Sequence, residues 1–273
     1  HWRSPVVIPF RAWSYYYPLG VLTAGFAHGG ATHLTGNLLG TLVFGTVAEY
    51  AWGHFPRERG SAAFSSLGTH PGARIGAFVG VTVVVGILAG LFSLGPVVGF
   101  SGVVFAYAGF ALVQLPVLTL VVVLGGGAVD LAYRAFNRPT IQSATGPSFS
   151  SPWWAEVAIQ GHALGLFIGV VLGVALVRRR EAFPDPLSLF VATVAFGVDR
   201  GLWAVYGFLG NGRFELYRAG GLALLFVMAG LVTAAATARP RTLVARIDLR
   251  SHEAAVGLTL AVLVALSVVA VPY

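Results

Sequence analysis

Apolar residues in this chain come in long blocks rather than in alternation, and short clusters rich in arginine, proline and glycine separate the blocks. Helical spans of a bilayer need roughly 17–25 apolar residues. Runs suited to this role, one of them shorter, lie at 33–52, 74–94, 101–115, 116–136, 154–177, 187–208, 219–238 and 253–272. Pro116 falls inside an otherwise unbroken apolar stretch from Val103 to Leu124. Proline disfavours helix at the residue before it, so a tight turn is expected there. The helix from Ser101 to Leu115 would then be about 22 Å long, short of a hydrocarbon core of about 30 Å. Ser101, at its start, would be recessed but within reach of water. The pattern predicts an all-α, polytopic integral membrane bundle.

Composition agrees. The chain is 56% hydrophobic and 10% charged, against roughly 25% charged in soluble domains. The net charge of +7 could suggest nucleic acid, but all 17 basic residues are arginine and their placement explains the excess better. With residues 1–32 outside, the loops 53–74, 178–186 and 239–252 fall inside and carry Arg57, Arg59, Arg74, Arg178, Arg179, Arg180, Arg239, Arg241, Arg246 and Arg250. Arginine marks the cytoplasmic side, so the partner is the lipid bilayer and not nucleic acid. With no cysteine, thiolate nucleophiles and Cys-ligated metals are excluded.

The first thirty residues, with Pro5, Pro9, Pro18 and the aromatic run Trp13-Ser-Tyr-Tyr-Tyr17, read as an interfacial loop rather than a signal peptide. The chain opens on His1 and closes on Val271-Pro-Tyr273 at the edge of a span. The expectation is an excised segment with at least one span upstream. Arg178-Arg-Arg180-Glu-Ala-Phe-Pro184-Asp-Pro186 is the one convincing boundary. Beyond it Asp199-Arg200 falls within a predicted span, where a charged pair must face protein or water.

Chemistry concentrates in three fragments: His33-Leu-Thr-Gly-Asn37, Gly99-Phe100-Ser101-Gly102 and His162-Ala-Leu-Gly165-Leu-Phe-Ile-Gly169. Ionisable groups cost about 2.5–3.5 kcal/mol in a span on insertion scales, which makes these residues candidates for function. A serine hydroxyl needs a base to take its proton, and histidine is the usual one near neutral pH. Ser101 and His162 could make that pair. Gly99 and Gly102 permit a sharp loop-to-helix turn that leaves free N–H groups beside the nucleophile; Gly-x-Ser-Gly also reads as close helix packing. His33 and Asn37, at i and i+4, share a helical face and suit an oxyanion hole or, equally, an interhelical polar clamp. His28 reads as a solvated loop histidine. Gly165, Gly169 and Gly173 form a small-residue stripe that lets helices approach closely, and His162 projects from nearly the same face.

Taken in order and spacing, these fragments resemble the rhomboid family of intramembrane serine proteases, over roughly residues 20–180. Glu49, twelve residues after Asn37, resembles an acidic position that the family often has. The resemblance implies Ser101 as nucleophile and His162 as general base and acid, with no aspartate completing a triad. His33, Asn37 and the Ser101 backbone N–H would stabilise the oxyanion. It further implies transmembrane-helix substrates cut near their outer end, a site opening to the outer face of a cell membrane, and no metal or organic cofactor. The family's usual first span is absent, and its outer-loop Trp-Arg pair is matched only by His1-Trp2-Arg3 or Arg11-Ala-Trp13. The implied organisation is an outer interfacial loop at 1–32, a catalytic core at 33–180, and about three additional helices at 181–273.

Rival chemistries read less well. A zinc metalloprotease needs His-Glu-x-x-His, and His252-Glu-Ala-Ala-Val-Gly257 lacks the second histidine. An aspartyl protease needs two membrane aspartates sharing a proton; Asp130 and Asp199 exist, but Gly127-Ala-Val-Asp130 does not match that family's Gly-x-Gly-Asp. A haem carrier using His33 and His162 leaves Ser101 and Asn37 unexplained. Two alternatives stay open: a non-catalytic rhomboid-like protein binding transmembrane clients, and a transporter using the Asp199–Arg200 region. Inactive relatives usually lack the serine or the histidine, and this chain has both.

Overall fold

The computed structural model describes residues 10–12, 14–53, 64–92, 98–137, 154, 157–211 and 213–238. Trp2-Arg3, Trp13, His252-Glu253, the candidate span 253–272 and the arginines at 57, 59, 239, 241, 246 and 250 lie outside the described residues, as does the Asp130 side chain.

Proline opens four of the helices, where its fixed φ suits the first turn and its missing N–H costs nothing. These are α1 (Pro18–Thr23), α4 (Pro71–Phe92), α6 (Pro116–Asn137) and α8 (Pro186–Asp199). Between α1 and α4 runs one continuous helical segment: α2 (Ala31–Gly40), a π turn (Thr41–Gly45) and α3 (Thr46–Trp52). It stops at Gly53, whose φ of 97° is a left-handed cap that glycine adopts without strain. The other helices are α5 (Ser101–Gln114), α7 (Ile159–Arg180) and α9 (Arg218–Thr237). Helices α4, α6, α7 and α9 are long and apolar enough to cross a membrane, and α5 and α8 are shorter apolar helices.

Helix α5 is the axis of the bundle: eleven of its fourteen residues are buried. It breaks at Leu115, immediately before Pro116, as the proline predicts. Its closest neighbour is α7, where the small-residue stripe brings backbones into contact. A Cβ on Gly165 would lie 2.0 Å from the Gly102 carbonyl oxygen, and one on Gly169 would lie 1.9 Å from that of Ala106. Gly109 repeats the arrangement from the other side, 2.3 Å from the Leu166 oxygen. Polar side chains add two ties to α5: Gln114 donates to the Gly173 carbonyl of α7 at 2.8 Å, and Tyr107 shares a hydroxyl contact with Thr82 of α4.

Three arginines that the sequence assigns to topology also close helix ends. Arg74 and Arg180 donate to the carbonyls of Gly53, Ala51 and Trp52 at the end of α3. Arg178 donates to Ala235 near the end of α9 at 2.9 Å. Cations there satisfy orphaned carbonyls and oppose the negative pole of the helix.

The predicted span 187–208 is corrected. Helix α8 ends at Asp199, and an antiparallel hairpin, β1 (Tyr206–Gly210) and β2 (Arg213–Leu216), follows in the register Tyr206↔Leu216 and Gly207↔Glu215. Gly210 pairs with Arg213 after a register irregularity at Phe208–Gly210, and Asn211, the first residue of the two-residue turn, has the positive φ, 50°, that such turns favour. The Gly210-Asn-Gly212 signal was present in the sequence but hidden by the apolar Tyr206-Gly-Phe-Leu209 ahead of it. Trp154 packs against Tyr206 and Phe214, joining the hairpin to the segment that enters α7. Asp199 and Arg200 therefore lie at a helix end, not within a span. They form an ion pair at 3.0 Å, with the guanidinium over the Phe44 ring.

Gly169→Ala should lower stability by about 1–3 kcal/mol by forcing α5 and α7 apart. Gly125→Ala on α6, where a Cβ meets nothing within 4 Å, should be neutral or stabilising by up to about 1 kcal/mol. Thermal unfolding in bicelles compares the two. A second prediction concerns Asp185, the N-cap of α8, whose carboxylate accepts from Ser188 N and Oγ at 2.8 and 2.7 Å. These bonds hold its carboxyl below the ordinary value. The cap's contribution is therefore complete above the ordinary carboxylate pKa and lost as pH falls through the lowered one. Amide-exchange protection in the first turn of α8 should drop over that acidic range, and Asp185→Asn should flatten the profile.

Candidate active site

Helix α5 begins at Ser101, with Phe100 as its N-cap. The loop ahead of it is fixed by the Gly99 N–H, which donates to the Ala24 carbonyl at 2.8 Å beyond the end of α1. Gly99 has a φ of 138°, a conformation side chains rarely adopt. Space forbids one as well: a Cβ there would sit 2.5 Å from His33 Cε1, 2.7 Å from His33 Nε2 and 3.7 Å from Asn37 Nδ2. The two side chains on α2 thus converge on the backbone two residues before Ser101. The first N–H groups of α5, including that of Ser101, have no intrahelical acceptor.

His162 is the fourth residue of α7. Its Nε2 lies 2.9 Å from Ser101 Oγ, a hydrogen bond in which either tautomer can take part. This distance depends on the glycine contacts below it, because a methyl group at Gly165 would push His162 away together with its helix. A Cβ on Gly102 would touch Ala89 of α4 at 3.0 Å, so Gly102 is confined from a second side. Such a pair can move a proton from hydroxyl to imidazole, leaving an alkoxide next to free N–H donors.

Asn37 is buried, and its Nδ2 has no partner within the protein. Its backbone carbonyl accepts from the Thr41 hydroxyl at 2.7 Å, where the π turn begins. His28 differs from its reading as a solvated histidine. It does lie in the loop before α2, but its Nε2 is buried without a protein partner and its ring meets His33 edge-on at 5.3 Å. Burial, and then the neighbouring His33, hold its imidazole below the ordinary histidine value. Glu49 is half-buried in α3. Among the described residues no three histidine, aspartate or glutamate side chains gather as metal ligands.

One residue beside His162 was missed by sequence reasoning. Phe105 lies one turn along α5 from Ser101, and its ring stacks on the His162 imidazole with centroids 4.2 Å apart and planes 9° apart. The i, i+4 relation to Ser101 was the available signal.

In comparisons with known proteins, the model of the rhomboid domain family matches residues 15–179. No match was found among curated proteins or among solved structures. The matched stretch begins ahead of α1, ends in the last turn of α7 and takes in all three fragments that carry the chemistry. Covering well over half of a chain whose helices include four long enough to cross a membrane, it identifies the protein as a multi-pass integral membrane protein of the rhomboid family.

Proposed function

We propose that this protein is an intramembrane serine endopeptidase, with residues 33–180 as its catalytic core, 1–32 as an interfacial loop and 181–273 as added membrane helices. The observation that carries the reading is the 2.9 Å contact between Ser101 Oγ and His162 Nε2 at the start of a buried helix. His162 takes the hydroxyl proton as Ser101 attacks the carbonyl of a substrate peptide bond. The oxyanion that forms meets the Ser101 N–H, the unpartnered Asn37 Nδ2 and the His33 ring. His162 then gives its proton to the leaving amine, and an ester to Ser101 remains. A water molecule, deprotonated by His162, resolves that ester and restores the serine. No cofactor enters any step.

The short α5 supports this reading. At about 21 Å it cannot reach across a hydrocarbon core of about 30 Å, so the serine sits below one surface where water can approach. The arginine distribution along the sequence supports reading that surface as the outer one. Substrates are transmembrane helices whose outer end unwinds to present a strand, because a helix hides its carbonyl carbons from attack.

Reconstituted in liposomes with a single-span reporter, the wild type should release product. Ser101→Ala and His162→Ala should each lower the rate by about 10⁴-fold or more, and the double variant should be no worse than either, as for groups acting as one unit. Unchanged helicity and melting would assign the loss to chemistry. Wild-type protein that binds the reporter without cleaving it would instead support client binding. Asn37→Ala should reduce kcat by about 10²–10³-fold with little change in KM, the signature of a lost oxyanion donor.

A further inference from the structure

Helix α8 follows the residues matched to the rhomboid domain, yet one of its side chains is built into the wall behind His162. Phe196 is 1% exposed and is among the largest fully buried side chains described. Its ring meets Phe105 edge-to-face, with centroids 5.8 Å apart and an interplanar angle of 79°. It meets Phe44 of the π turn in the same manner, at 6.1 Å and 74°. The rings form a chain: Phe44, Phe196, Phe105 and then His162, the last pair stacked at 4.2 Å.

Phe196 has little freedom to move. A Cβ on the next residue, Gly197, would sit 2.3 Å from Leu225 Cδ1 of α9. Ala192 and Leu189, one and two turns earlier on α8, are also buried to 1% exposure or less. Aromatic pairs in these geometries contribute beyond their buried area and favour one mutual orientation. A stacked ring can swing about its own χ angles unless something meets it from the side, and within the core cluster around Phe105 the Phe196 ring meets it edge-to-face.

We propose that Phe196 is a positioning residue for the dyad, holding Phe105 flat against the His162 imidazole so that Nε2 stays on Ser101 Oγ. This inference rests on the protease reading. It gives the helices after residue 180 a part in the chemistry, although they contribute no group to the reacting atoms. It also makes α8 a helix that cannot be removed: a chain cut before it would leave the imidazole without its backing.

The test is a double-mutant cycle in the full chain, read with the liposome reporter and with the rate at which a fluorophosphonate labels Ser101. Phe196→Leu should lower kcat and the labelling rate by about 10- to 10²-fold, the scale of a small misplacement at a reacting centre, and leave KM unchanged. In a Phe105→Leu background the same change should have no further effect. Leu189→Ala, which opens a cavity in α8 away from Phe105, should lower melting temperature but not the labelling rate of folded protein. Phe196→Met serves the same cycle if Phe196→Leu does not fold. Additive losses, or a Phe196 effect no greater than that of Leu189→Ala, would overturn the inference while the protease reading stands. Wild-type protein that neither cleaves nor labels would overturn both.

Discussion

In lipid, two helices gain nothing by burying apolar surface against each other, so their association depends on how closely their atoms approach. Helices α5 and α7 meet at Gly102, Ala106, Gly165 and Gly169, where backbone lies on backbone with no room for a methyl group. That contact sets the separation of the two helices that carry Ser101 and His162. The side chains are short, and a hydrogen bond of 2.9 Å between them tolerates little spreading. The glycines are therefore as much a part of the candidate site as the two polar groups they bring together. Gln114 fixes the far end of the same seam by donating to Gly173, so the helices cannot splay from below.

Around this seam threonine hydroxyls find their partners locally. Thr35, Thr41, Thr46, Thr82, Thr193, Thr233 and Thr237 each donate to the carbonyl four residues earlier. Such back-bonding hides a hydroxyl without calling on a neighbouring helix. Against that background Asn37 Nδ2, His28 Nε2 and Thr119 Oγ1 stand out as buried with no protein partner. Asn37 Nδ2 lies beside Gly99 in the loop that leads into Ser101, and the His28 ring meets His33, which lies beside the same glycine. An unpaired buried donor costs about 1–3 kcal/mol, and a substrate oxygen would relieve that cost at Asn37. Thr119 has no such explanation in the structure.

The sequence carried the parts of the site and left their support out of view. Ser101, His162, His33 and Asn37 are polar residues in apolar runs, and each could be picked out by that contrast alone. Pro116 marked the end of α5, and the glycine stripe marked the helix face that meets it. Phe105 and Phe196 could not be found this way, because an aromatic residue in a membrane helix is unremarked wherever it points. Their contact joins positions ninety-one residues apart and has no local signature. The hairpin was lost for a different reason. A hydropathy window extends a span through any apolar residue, and Tyr206, Phe208 and Leu209 are apolar whether they are in a helix or a strand. Asp199 and Arg200 were misplaced with it, since a span drawn too long turns a helix end into its middle.

The π turn at Thr41–Gly45 has a geometric consequence for the segment that contains it. A turn holding one extra residue advances the helix by a full residue step, about 100° of rotation, without interrupting the chain of hydrogen bonds. Above it, the face of α2 bearing His33 and Asn37 is aimed at the loop before α5. Within it Phe44, and below it Val47 and Ala48, are turned inward as buried core, and Phe44 reaches Phe196. In an unbroken α-helix the spacing of His33, Asn37, Phe44 and Ala48 would put all four on one face, and the inserted step turns the lower pair away from the upper. The insertion works like an offset coupling in a shaft: one rod meets the loop before α5 with its upper part and α5 itself with its lower part.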